Sequence, residues 1–243
     1  TRREHAVYSV FSLGDSFDQY VASLDKRQRT NLRRDLNLLS RSSEVSQRIL
    51  ENGCDVGDAF DRFVDMHTQQ WNAEQKLGHF LDWPFATAFN ADLIACLAEH
   101  GRVRLVELLA DGQVVSMQLC FVFGKRWHWR LPARVVGEAW DKYGLGRIGL
   151  VKMLEAAIEE GANEVEAGIG HYDYKVKLGA NEYPLYSFLF VRDSLYARLK
   201  SRLFLIFADL LDLLYYRIWF LRLAPVLPFK RRPLWKLWIR TRF

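Results

Sequence analysis

Cysteine is scarce in this 243-residue chain: Cys54, Cys96 and Cys120 are the only three. They are far apart and odd in number, which excludes a disulfide framework and the paired spacings of a zinc site, and implies a reducing compartment. No apolar run follows the charged start Thr1-Arg-Arg-Glu-His-Ala, so no secretory signal is read there. An initiator Met is also lacking, from which a fragment or a processed form is expected. Internal repeats and linker-like low-complexity stretches are missing between residues 15 and 192, as expected of one continuous domain. What is present is apolar and aromatic mass, 50% and 14% of the chain, too much for a disordered protein and enough for a substantial core.

The net charge of +5 is unevenly held. Residues 192–243 carry twelve Lys and Arg against three Asp, a net of +9, and the remainder nets −4. Basicity therefore belongs to the tail. A uniformly basic surface would indicate nucleic acid; a basic, aromatic tail indicates an anionic membrane surface, and no DNA is expected as a partner.

Along the chain, residues 6–13 read as a strand, and Ser16 as the N-cap of a helix from Phe17 to about Leu24. Asp25 begins a helix with a strongly basic first half. Residues 45–50 read as a strand, and 57–71 as a helix with Phe60, Phe63, Val64, His67 and Trp71 on one face. Pro84 opens a further helix ending near Glu99. Strands at 102–110, 113–123 and 126–131 are separated by Asp111-Gly112 and Gly124-Lys125, which predicts an antiparallel meander. A helix from Gly144 to Glu160, a short strand at 165–167 and a longer one at 183–191 complete an α+β domain.

Two segments carry a resemblance. Lys26-Arg-Gln-Arg29-Thr-Asn-Leu-Arg33-Arg34 resembles the basic helix start of the CelD-like (cellulose-biosynthesis-associated) and FemAB-like members of the GNAT acyltransferase superfamily. Glu166-Ala-Gly-Ile-Gly170-His171-Tyr-Asp-Tyr174-Lys175 resembles that group's signature of an acidic residue, a glycine and then Tyr-Lys before the last strand. His67 with Trp71 and the Asp111-Gly112 turn are supporting matches, and the resemblance covers about residues 15–192. It implies a GNAT-like fold, a central mixed and mainly antiparallel sheet flanked by helices. It also implies a domain over 25–193, residues 1–24 being the end of a missing N-terminal half or a connecting segment.

In Lys142-Tyr143-Gly144-Leu145-Gly146-Arg147-Ile148-Gly149, glycines opening a helix let a ligand approach the backbone, and Lys142 and Arg147 add charge for a pyrophosphate. The family pattern for coenzyme A has Gln or Arg where this chain has Asp141. The donor thus stays open between acyl-CoA, an acyl carrier protein and an aminoacyl-tRNA. The bland reading of the same residues is a helix start with glycines for close packing.

Acyl transfer to an amine needs a base for the ammonium proton. Glu166 and His171 are the candidates, with Tyr174 to protonate the leaving thiolate and Lys175 to hold a phosphate or an acidic acceptor; otherwise Tyr174 and Lys175 are structural ties. His67 is expected in the core. Trp129 is a candidate acyl-chain wall, with core packing the reading that its setting favours. Arg29 and Arg33 are candidate phosphate contacts. No metal or permanently bound cofactor is implied, acyl-CoA being a co-substrate.

Residues 194–243 are long and apolar enough to suggest a span, but Asp209, Asp212, Arg217 and Arg222 would each cost about 2.5–3.5 kcal/mol at mid-membrane. An amphipathic helix lying in the interface fits better, with Trp219 and then Lys230, Arg231, Arg232, Trp235 and Trp238 at anionic headgroups. A helix packed on a partner is the competing reading, and a homodimer stays open.

Together these features predict an acyltransferase moving an acyl group from a thioester to an amine of a lipid or cell-envelope precursor. It would sit in the cytoplasm, attached peripherally to the inner membrane face. Two alternatives are aminoacyl transfer from tRNA and a non-catalytic GNAT-like module in polysaccharide biosynthesis.

Overall fold

The computed structural model describes residues 2–51, 53–74, 76, 78–81, 85–223 and 226–227. Its centre is a seven-stranded sheet in the order β2-β3-β4-β5-β6-β1-β7, where β1 is Arg2–Ser12, β2 Val45–Leu50, β3 Val103–Ala110, β4 Gln113–Phe123, β5 Arg126–Arg134, β6 Glu164–Ile169 and β7 Ala180–Phe188. All pairings are antiparallel except β5 with β6. The meander of β3 to β5 turns at the two predicted glycine turns, Gly112 at φ 76° and Gly124 at φ 61°, the left-handed conformation that glycine adopts without steric cost.

Helices cover both faces. On one lie α1 (Phe17–Ser23), α2 (Lys26–Ser40) and α6 (Leu145–Glu159), packed over Phe11, Trp127, Trp129, Val165 and Ala167. On the other, α3 (Gly53–Ala73) and α4 (Ala86–Ala98) cover Val103, Leu105, Met117, Leu119, Leu131 and Ala133. The predicted N-cap is present, Gln19 N–H donating to Ser16 Oγ at 3.3 Å. Pro84, expected to open α4, lies outside the described residues.

Residues 1–24 are not a connecting segment. β1 occupies an interior position of the sheet, between β6 and β7, and Tyr20 and Leu24 are buried in the same core as α6. The strand's hydrogen-bonding needs are met only inside this domain, so the domain boundary expected at residue 25 is corrected.

β5 changes character half-way. Its parallel pairing with β6 has three rungs, Arg126–Glu164, Trp127–Val165 and His128–Glu166. Immediately afterwards the β4–β5 register shifts, so that Cys120 faces Trp129 but Leu119 faces Leu131, leaving Arg130 as the extra residue of a bulge. A bulge bends its strand and flips the parity of the residues beyond it. Accordingly Trp127 and Trp129 face α6, whereas Leu131 and Ala133 face α3. β5 and β6 then diverge as a V.

Two short helices went unpredicted, α5 (Glu138–Asp141) and α7 (Asp173–Lys177), and β7 starts three residues before the strand predicted from Tyr183. After β7, α8 (Leu195–Leu211) continues into a π-helical stretch, Asp212–Leu223. Among the described residues no helix is long and apolar enough to cross a membrane.

Candidate active site

A cavity of about 270 Å³ opens at the V, lined by Gln70, Trp129, Pro132, Ala133, Arg134, Gly146, Arg147 and Tyr174. A proline inside a sheet is tolerated where its missing N–H faces no partner. Pro132 meets that condition because β6 has left this side of β5. The exposed backbone is satisfied from α3 instead: His67 Nδ1 donates to the Pro132 carbonyl at 2.8 Å, and Arg134 N–H donates to Gln70 Oε1 at 3.0 Å.

His67 is fully buried, as expected, and its Nε2 lies 3.1 Å from His79 Nδ1. Burial pushes the pKa of His67 down to about 4 and that of His79 to about 3. Both rings are neutral at ordinary pH.

Trp129 is held by a buried chain. Its Nε1 donates to Gln118 Oε1 at 2.9 Å, Gln118 Nε2 donates to Ser116 Oγ at 3.0 Å, and Ser116 Oγ donates to the Ala133 carbonyl at 3.2 Å. Lys175 bridges the V. It is 4% exposed, Nζ donates to the Ala167 carbonyl on β6 at 2.6 Å, and it stands 5.7 Å from the centre of the Trp129 ring on β5. Burial lowers its pKa to about 8. An ammonium thus replaces part of the ladder that the diverging strands abandon. Beside it Tyr174 reaches the cavity, its hydroxyl pushed up to about 12 by burial.

The predicted phosphate loop divides. Gly144 caps α6 at φ 66°, with no side chain bonded to the first-turn N–H groups. Gly146 faces the cavity, and a Cβ there would meet only Arg134, at 3.7 Å. Gly149 lies elsewhere: a Cβ would stand 2.3 Å from Ser116 Oγ and 2.7 Å from Gln118 Nε2. It is a packing glycine that lets α6 settle on β4, not a phosphate contact. Arg147 lines the cavity but is ion-paired with Asp35 of α2, a buried carboxylate that Arg34 also contacts at 3.3 Å. Lys142 stands over the Tyr143 ring at 4.9 Å. Arg29 is a structural tie, donating to the carbonyls of Ala22 and Leu24 at the end of α1, and Arg33 is exposed.

Glu166 and His171 do not meet. The Tyr8 hydroxyl donates to Glu166 Oε2 at 2.6 Å, whereas His171 Nδ1 lies 2.9 Å from Glu182 Oε1, and Glu182 pairs with Ser9. Tyr8 and Ser9 are consecutive in β1 and point to opposite faces. The pairing of Glu166 with His171 is therefore corrected. His171 is exposed and raised in pKa by hydrogen bonding to Glu182.

Glu166 has instead a partner that sequence reasoning passed over, His128, whose Nδ1 is 3.1 Å from Glu166 Oε2. Arg126 stands 3.6 Å from the other oxygen. This dyad sits on the last β5–β6 rung, at the apex of the V, on the face opposite α6. Trp219 belongs to the π-helical stretch, and Lys230, Arg231, Arg232, Trp235 and Trp238 lie outside the described residues.

The cavity opens between α3 and the Gly144-capped start of α6, and the carboxylate–imidazole pair stands at the apex of the V. Several solved structures share the fold. They include a conserved protein of unknown function from Bacteroides thetaiotaomicron (10% identity, TM-score 0.53) and L-PGS from Bacillus licheniformis (11%, 0.52). A third is the C-terminal DUF2156 domain of a candidate lysylphosphatidylglycerol synthetase from Agrobacterium fabrum (12%, 0.52). Each match covers 76% of this chain and 60% of the other, so the chain spans less than two thirds of those proteins' length. No curated protein matches in sequence. The model of the acetyltransferase (GNAT) domain family matches residues 26–176, and the chain, an α+β domain with the V-shaped sheet described above, belongs to that family.

Proposed function

We propose that this protein transfers an acyl group from a thioester, acyl-CoA or an acyl carrier protein, to an amine of a lipid or envelope precursor at the inner membrane face. The observation that carries the reading is the V between β5 and β6, with a cavity on one side and the Glu166–His128 dyad at its apex. The acyl chain would enter along Trp129, with the donor phosphates at Gly144 and Gly146 near Lys142. Glu166, with its proton passed to or shared with His128, takes the proton of the attacking ammonium. The freed amine attacks the thioester carbon, the C–S bond breaks, and Tyr174 gives its proton to the departing thiolate and recovers one from the N–H that the new amide sheds. Lys175 keeps the V open rather than touching a phosphate. Positioning supplies much of the rate in such a site.

A lipid acceptor is supported by the basic, apolar C-terminal segment and by likeness in fold to a protein whose name places a lysyl group on phosphatidylglycerol. The Tyr174-Lys175 signature supports placing the chain in the CelD-like and FemAB-like group. Asp141, ion-paired with Arg134 at 3.3 Å beside the cavity, departs from the family's CoA pattern and keeps an aminoacyl-tRNA donor as the second reading.

Calorimetry with acetyl-CoA and palmitoyl-CoA, using Gly146→Glu as control, tests the reading. Micromolar binding of the long chain, lost in the variant, is expected. Binding of neither thioester would eliminate the CoA donor, and turnover with charged tRNA would then establish the second reading.

A further inference from the structure

α8 is joined to the sheet by an ion pair between Arg3 and Asp209. The β1–β7 register says which face it lies on. Tyr8 pairs with Tyr183 and Arg3 with Ser187. Positions 183 and 187 of β7 share a face, so Arg3, and the helix that its partner Asp209 belongs to, lie on the side of Tyr8 and Glu166. α3 and α4 cover the other half of that face, over β3 to β5. The helix therefore lies on the same face of the sheet as the Glu166–His128 dyad, tied to its β1–β7 edge.

The helix is two-sided. Ala197, Ser201, Leu205 and Ala208, at spacings of three and four, are its least exposed positions. The opposite stripe is apolar and bare: Tyr196 is 75% exposed, Leu199 59%, Leu203 58%, Phe207 60% and Leu210 47%. Lys200 borders this stripe on one side and Arg202 on the other. Asp193 and Asp212 are neutralised by Arg198 and Arg217, as Asp209 is by Arg3. A row of large apolar side chains between cations fits an anionic phospholipid surface. It is poorly suited to a second copy of the same chain, whose matching helix would bring cation against cation.

We infer that α8 docks on an anionic bilayer through this stripe and thereby turns the dyad's face toward the lipid and the donor cavity toward water. The inference deepens the proposed function by assigning each substrate a side: a water-soluble thioester enters beside α6, and a membrane-borne amine rises along α8 to Glu166.

The test uses the full chain and vesicles of phosphatidylcholine with or without 30 mol% phosphatidylglycerol. Co-sedimentation is expected only with the anionic vesicles and should weaken at least tenfold in 0.5 M NaCl. Leu199→Glu/Leu203→Glu should lower it at least tenfold while palmitoyl-CoA affinity, a check on folding and on the donor site, is unchanged. Orientation is read from an environment-sensitive fluorophore on Tyr183→Cys or Glu159→Cys in a Cys54→Ser/Cys96→Ser background, Cys120 being buried. The label at 183 should shift to the blue on vesicle binding and the one at 159 should not.

Undiminished binding of the double variant, or no shift at 183, would overturn the inference. So would a wild-type dimer in sedimentation velocity that Leu199→Glu/Leu203→Glu dissociates. Failure of thioester binding with vesicle binding intact would instead count against the proposed function and leave the docking face standing.

Discussion

His128 and Glu166 face each other across the last rung that joins β5 to β6, Nδ1 to Oε2 at 3.1 Å, and one residue later a bulge carries the strands apart. The dyad thus stands where the two strands part. Glu166→Gln keeps the size and the hydrogen bond from Tyr8 but removes the basic oxygen. It should lower kcat by about 10²–10⁴-fold with thioester affinity unchanged. His128→Asn should cause a smaller loss in the same parameter, and His171→Ala almost none. Steady-state kinetics beside calorimetry on each variant decides this; a full loss in His171→Ala would restore the exposed histidine as the base.

Gly149 tests the fit of α6 on the sheet. Gly149→Ala puts a methyl group 2.3 Å from Ser116 Oγ, and overpacking of this kind costs about 1–3 kcal/mol. Urea melts should show that loss. Adding Ser116→Ala should return part of it, because the closest clash is with the hydroxyl. If Gly149→Ala instead leaves stability intact and weakens thioester binding, the residue belongs with the phosphate contacts after all.

Acid should loosen the packing of α3 on β5. His67 and His79 have native pKa values lowered by burial to about 4 and about 3, below the ordinary 6.5. Between those values and 6.5 the unfolded chain binds protons that the native one refuses. Stability is therefore full above about pH 6.5 and falls as pH drops toward 4, by about 3 kcal/mol from His67 alone. Tm measured from pH 7 to 4.5 should decline, and His79→Phe should flatten the decline. A slope unchanged in that variant would assign it to other groups.

Lys175→Met removes the ammonium between Ala167 and Trp129 while nearly keeping its volume. The Ala167 carbonyl loses its donor, so a cost of about 1–3 kcal/mol is expected, with KM for the thioester rising as the V relaxes. Lys175→Arg should not rescue it, since a guanidinium does not fit a site 4% exposed. Full activity in Lys175→Met would mean that the strands stay apart without it.

The order of elements is legible because its signals are local: the meander is three apolar runs divided by glycine turns, and α3 shows helical spacing. Glu166 was visible as a strand position between the apolar Val165 and Ala167. His128 was not visible as its partner, since only the parallel register of two strands, pairing residues 38 apart, puts the pair on one rung. The one local signal was Pro132 in an apolar strand, which says that part of β5 has no neighbour. Gly149 was misread because a glycine needed for packing and one needed for a phosphate look alike until the opposing strand is known. The strand at 6–13 is legible, but its place inside this sheet is not, because its partners lie more than 150 residues away.

That separation bears on how the protein is made. β1 is synthesised first among the strands, yet its neighbours on both sides, β6 and β7, emerge last; Tyr8 waits for Ile169 and Tyr183. At about 5–20 residues per second, a ribosome exposes an unpaired β1 for roughly ten to thirty seconds before either arrives. The meander of β3 to β5 can form locally in that interval, but the Glu166 side of the site closes only after β7 has left the tunnel. A chain stalled or cut before residue 180 would hold most of its core and an open seam, and its natural fate is capture by a chaperone or a protease.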